Sequence, residues 1–128
     1  MKVLLDTQAF IWWDVEPGRL GPQASAVCFD PANQLVVSVG TAWEMQIKHR
    51  LGKLTLRKPL RLLVTDQVQQ NGLAVLPVTM EHVFRLESLP SLHKDPFDRL
   101  LIAQALAEEW PLISNDPVIA RYPVPVIW

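Results

Sequence analysis

The sequence predicts a parallel α/β sheet with helices on both faces, and three observations predict it. Short apolar runs of strand length recur along the chain, at Lys2–Leu5, Leu35–Val39, Leu73–Val78, Leu112–Ser114 and Val124–Trp128. The stretches between them carry apolar residues at helical spacing. Asp-Pro, Pro-Gly and Asn-Gly pairs punctuate the joins. Apolar strands alternating with helices bury a sheet from both sides.

Lys2–Leu5 is a buried strand that ends on Asp6. Thr7–Asp14 is a short helix carrying Phe10, Ile11, Trp12 and Trp13, broken at Glu16-Pro17-Gly18. Adjacent tryptophans on a helix point about 100° apart, so both do not easily face one core; one can lie at a surface, but packing at a helix edge is the favoured reading for each. A helix from about Pro22 to Phe29 closes at Asp30-Pro31, and Leu35–Val39 is a second buried strand. A helix from Thr41 to about Leu51 stops at Gly52, and Pro59–Gln70 is the next, ended by Asn71-Gly72. Leu73–Val78 is a third strand, interrupted by Pro77, and Thr79–Leu89 is helical with Val83, Leu86 and Leu89 on one stripe. The run from His93 to Ala105 then starts a helix at Asp95-Pro96, where the Asp side chain caps and Pro gives up an amide that has no partner. Leu112–Ser114 is a strand, a short helix starts at Pro117, and Val124–Trp128 is the last strand.

Composition bounds the function. A chain of 128 residues with 49% apolar and 20% charged residues is expected to form one soluble domain over residues 1–128. The net charge of −1 argues against a generally basic nucleic-acid binder, though not against a local basic patch. The single cysteine, Cys28, excludes an internal disulfide, and no run approaches the ~20 apolar residues that span a bilayer. The expected location is the cytoplasm. Serine hydrolysis, phosphate-loop chemistry and zinc binding find no support, because no G-x-S-x-G, glycine-rich loop or Cys/His cluster occurs. His49, His82 and His93 share no ligand spacing and are left out of the site.

Four acids stand at four helix starts. Asp6 follows the first strand, Glu44 lies three residues into the helix from Thr41, Asp98 is in the first turn after Pro96, and Asp116 follows the strand at Leu112–Ser114. Capping explains each alone. Asp6 and Asp116 can be N-caps, Thr41 and Glu44 form a capping-box pattern, Glu44 can pair with Lys48, and Asp98 complements a helix dipole. In a parallel sheet, however, the strand ends face one edge, where the crevice of such folds lies. A cap contributes about 1 kcal/mol, whereas two carboxylates about 4 Å apart repel by roughly 4 kcal/mol at an effective dielectric near 20. A cation among them resolves the conflict, and all-oxygen donors select Mg²⁺ or Mn²⁺ over zinc. Such a site suits metal-assisted chemistry on phosphate esters.

The segments V-L-L-D-T, A-W-E-M-Q-I-K-H-R-L-G-K-L, H-K-D-P-F-D-R-L-L-I-A-Q-A and L-I-S-N-D resemble the PIN domain, and more closely the VapC-type toxins of bacterial toxin–antitoxin pairs. The likeness covers nearly the whole chain. It implies a three-layer α/β/α sandwich with a central, mostly parallel sheet of four to five strands, and a Mg²⁺- or Mn²⁺-dependent endoribonuclease. By position, the family's acidic quartet falls on Asp6, Glu44, Asp98 and Asp116. The resemblance gives supporting roles to Thr7, Asp95 and Ser114, the last standing where threonine is commoner. It implies an RNA substrate, a cognate antitoxin covering the groove, and a second copy of the chain in a homodimer. The rival within the family is an inactive module that binds RNA or antitoxin. A phosphoacceptor domain of the response-regulator type is disfavoured, since Asp6 is followed by Thr7 and no lysine follows Lys94.

Lys48, Arg50, Lys53, Arg57, Lys58 and Arg61 place half of the twelve Lys and Arg residues in one run without an intervening acid. Lys48, Arg50, Lys53, Arg57 and Lys58, with Arg99 beside Asp98, are the candidate RNA contacts, with salt-sensitive affinity expected.

Overall fold

In the computed structural model, which describes residues 1–128, five parallel strands form one sheet. The strands are β1 (Lys2–Leu5), β2 (Gln34–Ser38), β3 (Ala74–Leu76), β4 (Leu112–Ile113) and β5 (Val126–Ile127), in the order β3-β2-β1-β4-β5. Helices α1 (Thr7–Val15), α2 (Pro22–Cys28), α3 (Val39–Arg50), α4 (Leu60–Asn71), α5 (Met80–Arg85) and α6 (Pro96–Glu108) cover it, and 3₁₀ turns occur at Pro17–Arg19, Leu86–Ser88 and Ile119–Arg121. The expected three-layer sandwich is formed. No helix is long and apolar enough to cross a membrane.

The period-two geometry of the strands sorts the core into two layers. Val3 and Leu5 of β1, with Leu35 and Val37 of β2, pack with Phe10, Trp13, Ala24, Met45 and Leu63. Leu4 and Val36 point the other way, onto Leu101, Ile102, Ala105 and Ile119. Because β1 is apolar on both faces it is the natural centre of the sheet. Its register pairs Leu4 with Val36 on one side and Leu5 with Ile113 on the other. Asp6 and Ser114 therefore leave the sheet at the same edge, on either side of the point where the strand order reverses.

Several boundaries differ from expectation, and the first bears on the site. The third helix begins at Val39 rather than Thr41, because the Ser38 hydroxyl caps it by accepting from the Gly40 amide at 2.9 Å. Thr41 and Glu44 consequently form no capping box, and Glu44 lies in the second turn. A Cβ on Gly40 would stand 2.8 Å from Leu100 Cδ2, so glycine lets α3 close on α6 and brings Glu44 towards Asp98. The strands at Leu73–Val78 and Val124–Trp128 shorten to β3 and β5 because Pro77 and Pro125 offer no amide to a ladder. The helix expected over Thr79–Leu89 becomes α5 plus a 3₁₀ turn, and the short helix from Pro117 is the 3₁₀ turn Ile119–Arg121.

Neither of the paired tryptophans is exposed. Trp13 is in the core, and half-buried Trp12 packs 5.7 Å from Trp128 beneath the Arg19 guanidinium. The exposed tryptophan is Trp43 on α3, edge-on to Phe97.

Candidate active site

Asp6, Glu44, Asp98 and Asp116 line one open cavity of about 470 Å³ at the carboxyl edge of the sheet, together with Thr7, Lys48, Lys53, Asp95 and Asn115. The edge gathers Asp6, Glu44 and Asp116 because each sits at, or one or two turns beyond, the carboxyl end of a strand, and Asp98 joins them from the first turn of α6. A second hollow of about 520 Å³ between α1 and α2 contains Asp14, Asp30 and Cys28, but its one buried carboxylate is already neutralised, as described below.

Asp6 caps α1, accepting from the Ala9 amide at 2.7 Å. Asp116 caps the turn after β4, accepting from the Val118 amide at 2.8 Å, while the Ser114 hydroxyl accepts from the Asp116 amide at 3.1 Å. Glu44 is 3% exposed and has both oxygens occupied. The Thr7 hydroxyl donates to Oε1 at 2.5 Å, and Lys48 Nζ lies 2.7 Å from Oε2. Thr7 has one hydroxyl proton, so its 3.2 Å contact with Thr41 is a bond donated by Thr41. Asp95 keeps the capping role expected of it, accepting from the amides of Phe97 and Asp98 at 2.9 and 3.2 Å. The Asp98 carboxylate alone among the four accepts no hydrogen bond.

The electrostatics follow from this crowding. Burial pushes the Asp6 carboxyl up to about 6, with Asp116 and Glu44 adding repulsion. The Ser114 hydroxyl and the Ala9 amide pull it back only in part. Asp98 is pushed up to about 7, first by burial and then by Asp95, Glu44, Asp6 and Asp116. Helix N-termini favour the ionised acids, but desolvation wins. Lys48 is held above the usual lysine range, chiefly by its bond to Glu44. An oxygen-only donor set that repels itself is chemically matched to a hard divalent cation.

The basic run divides. Lys48 and Lys53 reach the acidic cavity. Arg57 instead grips the buried carboxylate of Asp14 with two bonds of 2.7 and 3.1 Å, and Lys58 pairs with Asp66. Arg50 lies with Lys58 and His49 around a separate hollow, and exposed Arg61 lies on α4. Arg99 Nη1 donates to the Pro90 carbonyl at 2.8 Å and to the Tyr122 hydroxyl at 3.2 Å. Sequence reasoning missed His93, whose Nε2 stands 3.6 Å from Asp98 Oδ2. Its ring is held by Tyr122, far along the chain, so no local spacing reveals it; its place two residues before the Asp95 cap was the only signal.

A five-stranded parallel sheet with this acidic cluster at its carboxyl edge has the architecture of a PIN domain, and the comparisons agree. The PIN domain profile matches residues 3–125. Ribonuclease VapC22 of Mycobacterium tuberculosis is 30% identical over 130 aligned positions, covering 98% of this chain and 98% of the relative. Ribonuclease VapC16 of the same organism is 33% identical over 60 positions, 47% of this chain and 43% of the relative. Among solved structures, VapBC2 from Rickettsia felis bound to a DNA fragment from its promoter superposes with a TM-score of 0.71 at 15% identity, covering 98% of this chain and 97% of that one. FitAcB from Neisseria gonorrhoeae gives 0.58 at 19% identity, over 97% and 95%. The chain belongs to the PIN domain family, among its VapC-type members.

Proposed function

We propose that this chain is a cytoplasmic, metal-dependent endoribonuclease that serves as the toxin of a toxin–antitoxin pair, with residues 1–128 acting as one PIN domain. Four acids converging on one cavity, two of them driven towards neutrality by burial and mutual repulsion, carry the reading. Its relatives are named ribonucleases, and a structural neighbour is a VapBC complex, which supports RNA as substrate and an antitoxin as partner. A homodimer completes the proposed assembly.

In this proposal Asp6, Asp98 and Asp116 ligate Mg²⁺ or Mn²⁺ directly. Glu44, with both oxygens already engaged, acts through water. A bound divalent cation supplies polarisation of the phosphodiester and a lowered pKa for an attacking water. The protein's own part is to hold the acids still. Thr7 and Thr41 orient Glu44, Ser114 braces the turn that carries Asp116, and Asp95 starts the helix that carries Asp98. Lys48 and Lys53 supply positive charge at the rim, where RNA phosphates would otherwise meet only acids.

Incubation of the purified chain with RNA, Mg²⁺ or Mn²⁺, and a chelator control tests the reading. Chelator-sensitive cleavage that disappears in Asp6→Asn and Asp98→Asn is the expected result. Cleavage that survives both substitutions excludes the metal mechanism. Binding of RNA or antitoxin without cleavage identifies an inactive binding module instead.

A further inference from the structure

The Tyr122 hydroxyl meets three partners, and counting hydrogens among them fixes the chemistry of His93. The phenol oxygen lies 3.3 Å from the His93 backbone amide, 3.2 Å from Arg99 Nη1 and 2.9 Å from His93 Nδ1. The amide and the guanidinium can only donate, and together they occupy the two lone pairs of the phenol. The phenol's own proton is the one hydrogen left for the third contact, so Tyr122 donates to Nδ1. A neutral imidazole whose Nδ1 accepts carries its proton on Nε2. Tyr122 is 3% exposed, its ring packs 5.4 Å from that of His93, and Arg99 also ties the loop through the Pro90 carbonyl. The tautomer is therefore set by packed and hydrogen-bonded neighbours.

Nε2 is buried without a hydrogen-bond partner, 3.6 Å from Asp98 Oδ2. One donor atom from each of His93, Asp98 and Asp116 fall within 4.8 Å of one another, which by distance alone would suit a metal ligated by His93. A ligand needs a free lone pair at Nε2, and the hydrogen count places a proton there. Asp98, meanwhile, is the one acid of the four whose carboxylate nothing holds. Carboxylates that bind metals are commonly fixed by a hydrogen bond to the protein, and loss of that bond typically costs 10–100-fold in metal affinity.

We propose that His93 is a positioning residue, whose Nε2–H donates to the Asp98 carboxylate as that carboxylate turns to its cation, and that Tyr122 and Arg99 enforce the required tautomer. Its functional meaning rests on the nuclease reading, but the tautomer does not. Nitrogen-15 NMR of the full-length chain, with the His93 ring assigned by its loss in His93→Gln, tests the tautomer directly. Nε2 is expected to be protonated and Nδ1 not, and saturating Mg²⁺ is expected to leave Nε2 protonated. Tyr122→Phe should give a mixture of tautomers. Mn²⁺ titration followed by electron paramagnetic resonance should show His93→Ala binding about 10–100-fold more weakly, with His93→Gln, whose amide can donate from nearly the same place, recovering most of the loss. A proton found on Nδ1, or parental Mn²⁺ affinity in His93→Ala, overturns the proposal. A chain that behaves as expected in both measurements yet cleaves no RNA overturns the nuclease reading and leaves the role of His93 standing.

Discussion

Two buried acids on the same helix, α1, meet opposite fates. Asp14, at the far end, has a side chain only 2% exposed and is matched by charge: Arg57 grips it with two bonds and Gln67 donates a third at 2.8 Å. Asp6, which caps the near end, is 5% exposed and faces Glu44, Asp98 and Asp116 across the cavity with no basic side chain bonded to it. Where an acid serves the fold, the chain supplies its counter-charge. At the sheet edge two lysines face five carboxylates, and only Glu44 has one bonded to it. That deficit is what the proposed cation would make good.

Substitutions sharpen the contrast because Asp14 and the sheet-edge acids, represented by Asp98, should respond in opposite senses. The largest effect is on chemistry: Asp98→Asn should lower metal-dependent RNA cleavage by about 100–1,000-fold, the equivalent of the several kcal/mol expected of a metal ligand. The same substitution should raise the melting temperature of the metal-free chain at pH 8, since it removes an uncompensated buried charge. Asp14→Asn should do the reverse, lowering stability by about 1–3 kcal/mol through the broken Arg57 pair while leaving metal affinity unchanged. Chemical denaturation of both variants checks the pair. Loss of stability in both would dissolve the distinction.

The effect of pH follows with a definite sign. Asp6 and Asp98 titrate near 6 and 7 in the native chain and near 3.8 when unfolded. Between those values the native state binds more protons, so stability falls as pH rises from about 4 to about 8. Thermal melts of the metal-free chain at pH 5 and pH 8 should show the higher transition at pH 5 from these two groups. Saturating Mg²⁺ should reduce the difference, because it stabilises the ionised acids most at the higher pH.

A smaller effect separates the basic residues. Lys53→Ala should flatten the dependence of log affinity on log salt by about 0.7 for a single-stranded RNA, the share of one neutralised phosphate. Arg57→Ala should leave that slope unchanged and lower stability instead. The smallest effect expected is that of Gly40→Ala, where the Leu100 methyl can swing aside; a cost under about 1 kcal/mol in denaturation experiments and a few-fold loss of metal affinity are anticipated.

The sheet order was not stated by the sequence, since Lys2–Leu5 and Leu35–Val39 both read as buried strands and neither run says which is central. Asp6 and Asp95 were readable as caps, and both cap. Glu44 was readable as an acid but not as a buried one. The apolar run from Leu35 to Val39 hid Ser38 as a cap, and shifting the helix start by two residues removes the local role that Thr41 and Glu44 seemed to share. What replaces it is a bond to Thr7, 37 residues away. The split in the basic run was invisible for the same reason, since the partners Asp14 and Asp66 come from other elements. His93 depends on Tyr122, 29 residues on. Local capping and strand periodicity are written in adjacent residues, whereas the pairing of charges across the sheet edge is written only in the fold.

The most direct test of a cation-deficient site is calorimetric. Mn²⁺ binding measured in two buffers of different ionisation enthalpy gives the protons released per metal. The expected result is release on the order of one to two protons near pH 6, falling towards zero above pH 8, as Asp98 and Asp6 give up protons to the metal. Asp98→Asn should cut the release by about two-thirds as affinity drops. Tight binding with no proton release at pH 6, or no binding at either pH, would contradict the account.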